Sequence, residues 1–322
     1  MASGLRRYLE SARGTGDGVV RVIPSDHYTP GYWTMLAATG RAAGVAFPDL
    51  AFASEGNSGY AAALRLPNAL GERDDYPFER HNEGRNYSGL VLLESAETTD
   101  AANTCVNGCI RHIFTDANLD RFVQDLQEVV GDLHDNVWSH GKSTGFSMAQ
   151  KWRKTGEPEE HWFEFALADH GLGFLRELQR VGIPNISTHA AAISWCIQKG
   201  NSSKKAEVHD DFAQWLPPDM MGNPMPGFGA IRESENHHMG LGLAKLVTLV
   251  ERYSGHLWLA SGDGLLSVTP GNGAEMTGSP SFCQGVAIAV RFDTGTIRQR
   301  LAAGNAEDET TANLIKLLGG KP

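Results

Sequence analysis

The feature that most constrains this chain is a long amphipathic segment that ends in a polar, glycine-rich cluster. Its apolar residues recur at steps of three and four, the spacing of one helix face: Leu119, Phe122, Val123, Leu126, Val129, Val130, Leu133 and Val137. Asp132 and Asn136 lie four residues apart and therefore project from one side of that helix. The glycine-rich exit at residues 141–145 offers backbone N–H groups beside them. The pattern predicts a buried helix that presents two polar side chains to a shared ligand.

Two glycine motifs follow this helix along the chain. An apolar strand pattern ends in Asp169, and Gly171 and Gly173 come directly after it. Gly240 and Gly242 form a second Gly-x-Gly turn, which opens a helical pattern. Glycine lets a backbone approach a ligand without a Cβ clash, and a helix N-terminus presents N–H groups to anions. Short glycine motifs recur by chance, so their order and the elements that carry them matter more than any single one.

In this order, the three motifs resemble the N box, the D-x-G-x-G box and the G-x-G-L box of the GHKL ATPases. That superfamily includes histidine kinases, anti-sigma-factor kinases, gyrase B and MutL. The resemblance covers residues 119–292 and implies an α/β fold, a two-layer sandwich of the Bergerat type, at residues 118–303. It also implies ATP and Mg²⁺ as cofactors. Asn136 is then expected to ligate Mg²⁺ through its side-chain carbonyl, and Asp169 to accept a hydrogen bond from the adenine amino group.

The resemblance assigns further nucleotide-contacting positions. They are His140, Lys142, Gly171, Gly173, Ser203, Lys204, Met239, Gly240, Leu241, Gly242 and Leu243. Residues 201–239 occupy the place of the ATP lid, and their Pro/Gly/Met-rich middle is too long for a simple connection. The segment at residues 201–239 is longer than the ATP lid expected in a histidine kinase.

Asp132 is the candidate catalytic residue. It occupies the position at which gyrase B and MutL carry a Glu that orients the attacking water, and its side chain is one methylene shorter. It is expected either to act through an extra water or to lie behind the Mg²⁺ ligands without acting as a base. The resemblance implies a Mg-dependent ATPase or a serine/threonine protein kinase that acts on a partner protein. The alternative is an ATP-dependent switch or adaptor that binds a partner without hydrolysis.

The first part of the chain, residues 1–117, is predicted to form a smaller α/β domain. Strand patterns alternate with helical patterns there, which favours parallel pairing. This part weakly resembles the STAS-like domain that precedes a GHKL module in some bacterial proteins, and an α/β scaffold of unknown purpose fits equally well. A protein partner is expected to bind this domain or the lid. The sequence is also compatible with a homodimer. Residues 304–322 are predicted to be a polar tail.

Composition and charge argue against some classes of protein. The formal net charge of −10 argues against a general binder of nucleic acid or anionic membranes. No apolar run approaches the length of a membrane span, so a cytoplasmic protein is expected. Cys105, Cys109 and His112 share a helical spacing that zinc can use, but no fourth ligand is evident and reduced thiols are the favoured interpretation.

Overall fold

The computed structural model describes residues 3–138, 143–199, 201 and 242–303. The predicted amphipathic helix is confirmed as α6 (Asp120–Asn136), with its apolar stripe buried. The described helices around it are α1 (Gly4–Ser11), α2 (Pro30–Ala42), α3 (Glu55–Ala63), α4 (Leu66–Ala69), α5 (Ala96–Ile113), α7 (Gly173–Arg180), α8 (His189–Cys196) and α9 (Gly242–Arg252). Residues 294–303 form a further helix. None of these helices combines the length and the apolarity that a membrane crossing requires.

A five-stranded antiparallel sheet forms the centre of the fold. The described strands are β1 (Val22–Ile23), β2 (Ala51–Phe52), β3 (Val91–Leu93), β4 (Gly145–Lys154), β5 (Glu157–Asp169), β6 (His256–Thr269) and β7 (Gly273–Asp293). The last five pair in the order β3-β4-β5-β7-β6. Asp169 ends the middle strand, where it pairs with Gly145 of β4. The neighbouring pair across β5 and β7 joins Ala168 to Ala287. The candidate adenine-binding residue therefore lies at the end of the central strand.

Helices cover both faces of this sheet. Along β5 the large residues Phe163, Phe165 and Leu167 are buried in the core that α5, α6 and α9 share. The alternate residues, Ala166 and Ala168, belong to a second core with α1 and α2. Small residues on that second face let α2 approach β4 and β5, while α1 contacts β7. The described residues thus make three layers, because α1 and α2, from the first part of the chain, cover the sheet face that the predicted two-layer sandwich of residues 118–303 leaves open.

A buried ion pair holds the additional layer in place. Glu164 on β5 and Arg291 on β7 are register partners, and their side chains are 0% and 4% exposed. Arg291 Nη2 lies 2.7 Å from Glu164 Oε2. Glu164 Oε1 accepts hydrogen bonds from the Thr29 hydroxyl at 2.8 Å and from the Gly31 N–H at 3.0 Å. One carboxylate therefore joins two strands to the start of α2.

The first part of the chain is mixed α/β, and the pairing of its strands differs from the prediction in one respect. The strands β1 and β2 are parallel, as predicted. In contrast, β3 pairs antiparallel with β4 and becomes the edge strand of the large sheet. The predicted boundary at residues 117–118 falls between α5 and α6, which pack against each other. Residues on both sides of it therefore contribute to one sheet and one helix layer. The STAS-like resemblance stays a prediction.

Candidate functional site

The end of α6 is in direct contact with the start of α9. Asp132 is buried at 7% exposure, and Asn136 is half-buried one turn later. A Cβ atom placed on Gly242 would lie 3.0 Å from the Asp132 Cβ and 3.6 Å from the Asn136 Nδ2. A larger residue at position 242 would push the two helices apart, so the contact depends on glycine. The structure therefore brings together two predicted motifs that are far apart in the sequence.

Asp169 lies in a buried position at the end of β5 and is 6% exposed. Its Oδ1 accepts a hydrogen bond from the Gly171 N–H at 2.8 Å, and the Val286 N–H also donates to its carboxylate. Burial nevertheless raises the pKa of Asp169 to about 7, because desolvation penalises the charged form more than the two N–H groups favour it. A ligand that donates a hydrogen bond here would favour the ionised carboxylate.

Two further glycines make room for Asp169. A Cβ atom on Gly285 would lie 2.6 Å from the Asp169 Oδ1 and 2.7 Å from the Gly171 N. A Cβ atom on Gly145 would lie 3.1 Å from the Asp169 Cβ and 2.8 Å from Cγ1 of Val137, the residue after Asn136. Gly145 therefore lies where the exit of α6 meets the end of β5. Gly145 was predicted only as part of a glycine-rich exit, and Gly285 was not predicted, because no local pattern marks it.

The turn after Asp169 is fixed from two neighbouring strands. Gly173 has a positive φ of 71°, and a Cβ atom there would lie 2.9 Å from Ser261 Oγ. That hydroxyl accepts a hydrogen bond from the Phe174 N–H at 3.1 Å and donates one to the Gly285 carbonyl at 2.9 Å. Gln284 Nε2 donates to the Gly171 carbonyl at 2.6 Å. Ser261 and Gln284 were not predicted, because their partners are distant in the chain.

A row of ion pairs joins α6 to α9 beside the site. The Lys245 Nζ donates to Asp132 Oδ2 at 3.0 Å and to Glu128 Oε1 at 2.6 Å. Burial on its own lowers the pKa of Lys245, but the two carboxylates outweigh it and the pKa is raised. Further along, Arg252 pairs with Asp125 at 2.9 Å. The side chains of Glu128, Lys245, Asp125 and Arg252 line a groove of about 340 Å³ between the two helices.

His134 belongs to the core, although it lies between Asp132 and Asn136 in the sequence. It is fully buried, its Nδ1 lies 2.7 Å from Asn103 Oδ1, and its ring packs near Phe165. Burial lowers its pKa to about 3. His134 is therefore neutral at neutral pH and is not suited to acid–base catalysis there.

The predicted magnesium ligand Asn136 lies on α6, whereas the possible zinc ligands Cys105, Cys109 and His112 lie on α5. Asn136 offers one neutral side-chain oxygen, and Mg²⁺ usually binds through one or two protein ligands, the substrate phosphates and waters. Across the described ranges, no group of three His, Cys, Asp or Glu is placed to hold a metal ion. Cys105 donates to the Ser88 carbonyl, and burial raises the pKa of Cys109 to about 12, so both are thiols. The reduced-thiol interpretation of the Cys105, Cys109 and His112 spacing is therefore favoured.

The remaining predicted positions lie mostly outside the described residues. These are His140, Lys142, Ser203, Lys204, Met239, Gly240 and Leu241, and of the predicted lid at 201–239 only Asn201 is described. The tail at 304–322 is also outside. Leu243 is described, and it packs against the apolar core behind the site.

Comparisons of the chain with protein-family models, curated proteins and solved structures find no match. The interpretation of the site therefore rests on its own residues. Four groups lie on adjoining segments of the fold. They are the buried carboxylates of Asp132 and Asp169, the amide side chain of Asn136, and Gly242 at the start of α9. Such a set can accept a hydrogen bond from a base, ligate a hard cation and face an anion.

Proposed function

We propose that the protein binds ATP with Mg²⁺, in the manner of the GHKL superfamily, where α6, the end of β5 and the start of α9 meet. One observation carries the proposal: the three predicted motifs converge through two glycine contacts. Gly242 lies against Asp132 and Asn136, and Gly145 lies against both Val137 and Asp169. Glycine motifs that recurred only by chance would have no reason to meet around one site.

The residues have distinct roles in this proposal. Asp169 accepts a hydrogen bond from the adenine amino group, at a buried position at the end of β5. Asn136 holds Mg²⁺, and the ion, when bound, offsets the phosphate charge. Gly242 opens α9 close to Asn136, so the N-terminal N–H groups of that helix face the phosphates.

The proposed reaction is ATP hydrolysis or phosphoryl transfer to a serine or threonine of a partner protein. Asp132 would orient the attacking water or hydroxyl and accept its proton. A second candidate function, a switch that binds ATP without turnover, has an observation in its favour. One oxygen of Asp132 is already engaged by Lys245.

Calorimetric titration with ATP and with GTP, each with and without Mg²⁺, tests the binding proposal. Guanine carries a carbonyl where adenine carries its amino group, so it would present an acceptor to the Asp169 carboxylate. ATP is expected to bind at least about tenfold more tightly than GTP, a difference of about 1.4 kcal/mol. Equal affinity for the two nucleotides, or no binding of ATP, would remove the assignment.

Turnover is measured separately on the same protein. Phosphate release without a labelled protein product indicates an ATPase, whereas transfer of the terminal phosphate to a co-purifying protein indicates a kinase. Saturable binding with neither outcome indicates the switch. Mass spectrometry of material captured by the full-length protein, with and without ATP, would identify the proposed partner.

A further inference from the structure

We propose that Lys245 is a positioning residue that holds the Asp132 carboxylate in place for proton transfer. The inference rests on the proposed ATP turnover at this site. No motif of the resemblance assigns a role to Lys245, and its place one turn into α9 is a consequence of how α9 packs on α6.

The geometry ties one ammonium group to two carboxylates. The Lys245 Nζ lies 3.0 Å from Asp132 Oδ2 and 2.6 Å from Glu128 Oε1. Asp132 is only 6% exposed at its side chain, whereas Glu128 is 56% exposed. Glu128 therefore holds the lysine from the solvent side, and the lysine holds the buried aspartate. The Gly242 contact with the Asp132 Cβ limits where that side chain can move.

The orientation of the Asp132 carboxylate depends on this contact. A hydrogen bond between two ionised groups is shorter and stronger than one between neutral groups, so the ammonium group fixes the position of Asp132 Oδ2. Lys245 reaches Asp132 from α9 and also binds Glu128 on α6. The next charged groups along the groove are the Asp125–Arg252 pair and Lys199, which follows α8. Of these cations, Lys245 is the one that contacts Asp132 directly.

An ionised Asp132 is required for the proposed step. As the oxygen of water or of a serine hydroxyl forms a bond to the terminal phosphorus, its proton passes to the Asp132 carboxylate. The bond between that phosphorus and the bridging oxygen breaks, and ADP leaves with the electron pair. The protonated Asp132 then loses its proton to solvent. Lys245 stays protonated throughout and exchanges no proton with the substrate.

The test compares Lys245→Met, Lys245→Arg and the matched control Arg252→Met, which removes the other cation that joins α9 to α6. Turnover is measured between about pH 5 and pH 9 at saturating Mg-ATP. In Lys245→Met kcat is expected to fall at least about tenfold across this range, while the KM for ATP changes less than about twofold. Lys245→Arg should restore most of the wild-type kcat, and Arg252→Met should keep it.

The inference is overturned if Lys245→Met keeps the wild-type kcat, or if kcat falls and arginine does not restore it. Faster turnover in Lys245→Met would also overturn it, because Lys245 would then block Asp132. The ATP titration separates this failure from that of the proposed function. A wild-type protein that binds no ATP refutes both, whereas normal binding and turnover with an unchanged kcat in Lys245→Met refutes the inference alone.

Discussion

Replacing Asp169 with Asn is expected to stabilise the nucleotide-free protein and to weaken ATP binding. Burial raises the pKa of Asp169 from 3.8 to about 7. A carboxyl group whose pKa is higher in the folded state stabilises the fold below its unfolded pKa, and that stability is lost as the pH rises towards about 7. The difference is about three pH units, so above pH 7 the ionised side chain costs at most about 4 kcal/mol.

The amide side chain introduced by Asp169→Asn would carry no charge at any pH, and its oxygen can still accept the Gly171 N–H. Its new NH₂ group must find a partner, which removes about 1–3 kcal/mol of the gain. The expected net stabilisation at pH 8 is therefore about 1–3 kcal/mol. It should shrink towards pH 5, where the wild-type group is protonated in the fold.

Binding is expected to respond in the opposite direction. The adenine amino group donates a hydrogen bond, so it binds the ionised Asp169 and meets a competing donor in Asp169→Asn. The variant should bind ATP at least about tenfold more weakly. Wild-type affinity should increase as the pH rises from 6 to 8, with release of a proton on binding that calorimetry in buffers of different ionisation enthalpy detects.

Urea unfolding at about pH 6 and pH 8 and ATP titration at the same pH values provide the measurements. Asp75→Asn is the matched control, because the Asp75 side chain is 75% exposed and its substitution should change neither quantity. If Asp169→Asn is less stable than the wild type at pH 8 and binds ATP normally, Asp169 is a satisfied turn residue. Burial of the Asp169 carboxylate would then not destabilise the fold at pH 8.

The remaining predictions concern the helix pair and the buried ion pair. Asn136→Ala should weaken Mg-ATP binding itself, whereas Asp132→Asn should keep binding and lower turnover by roughly 10²–10⁴, as titration and phosphate release would measure. Gly242→Ala should weaken ATP binding because its methyl group would lie 3.0 Å from the Asp132 Cβ. Gly131→Ala in α6, whose methyl group meets nothing within 4 Å, should instead raise the unfolding free energy by about 0.5–1 kcal/mol. Glu164→Gln should lower the unfolding free energy by about 3–5 kcal/mol in urea titrations, because it removes the negative charge that faces the buried Arg291 guanidinium; a loss below about 1 kcal/mol would contradict that account.

The sequence alone determined the elements that carry the candidate site. The spacing of apolar residues located α6, the apolar run located the end of β5 at Asp169, and Gly242 marked the start of α9. These features are local, because a helix face, a strand end and a glycine turn each follow from residues within a few positions of one another. The mixed α/β class followed from the same patterns.

Only the tertiary structure decided how these elements meet. The contacts of Gly145 and Gly285 with Asp169, and the ion pair from Lys245 to Asp132, join residues that no local pattern relates. The antiparallel pairing of β3 and the third layer depend on long-range burial, in which the Glu164 carboxylate joins β5 and β7 to α2. Periodicity indicates which side of an element is buried, whereas the partner that buries it is fixed by packing across the whole chain.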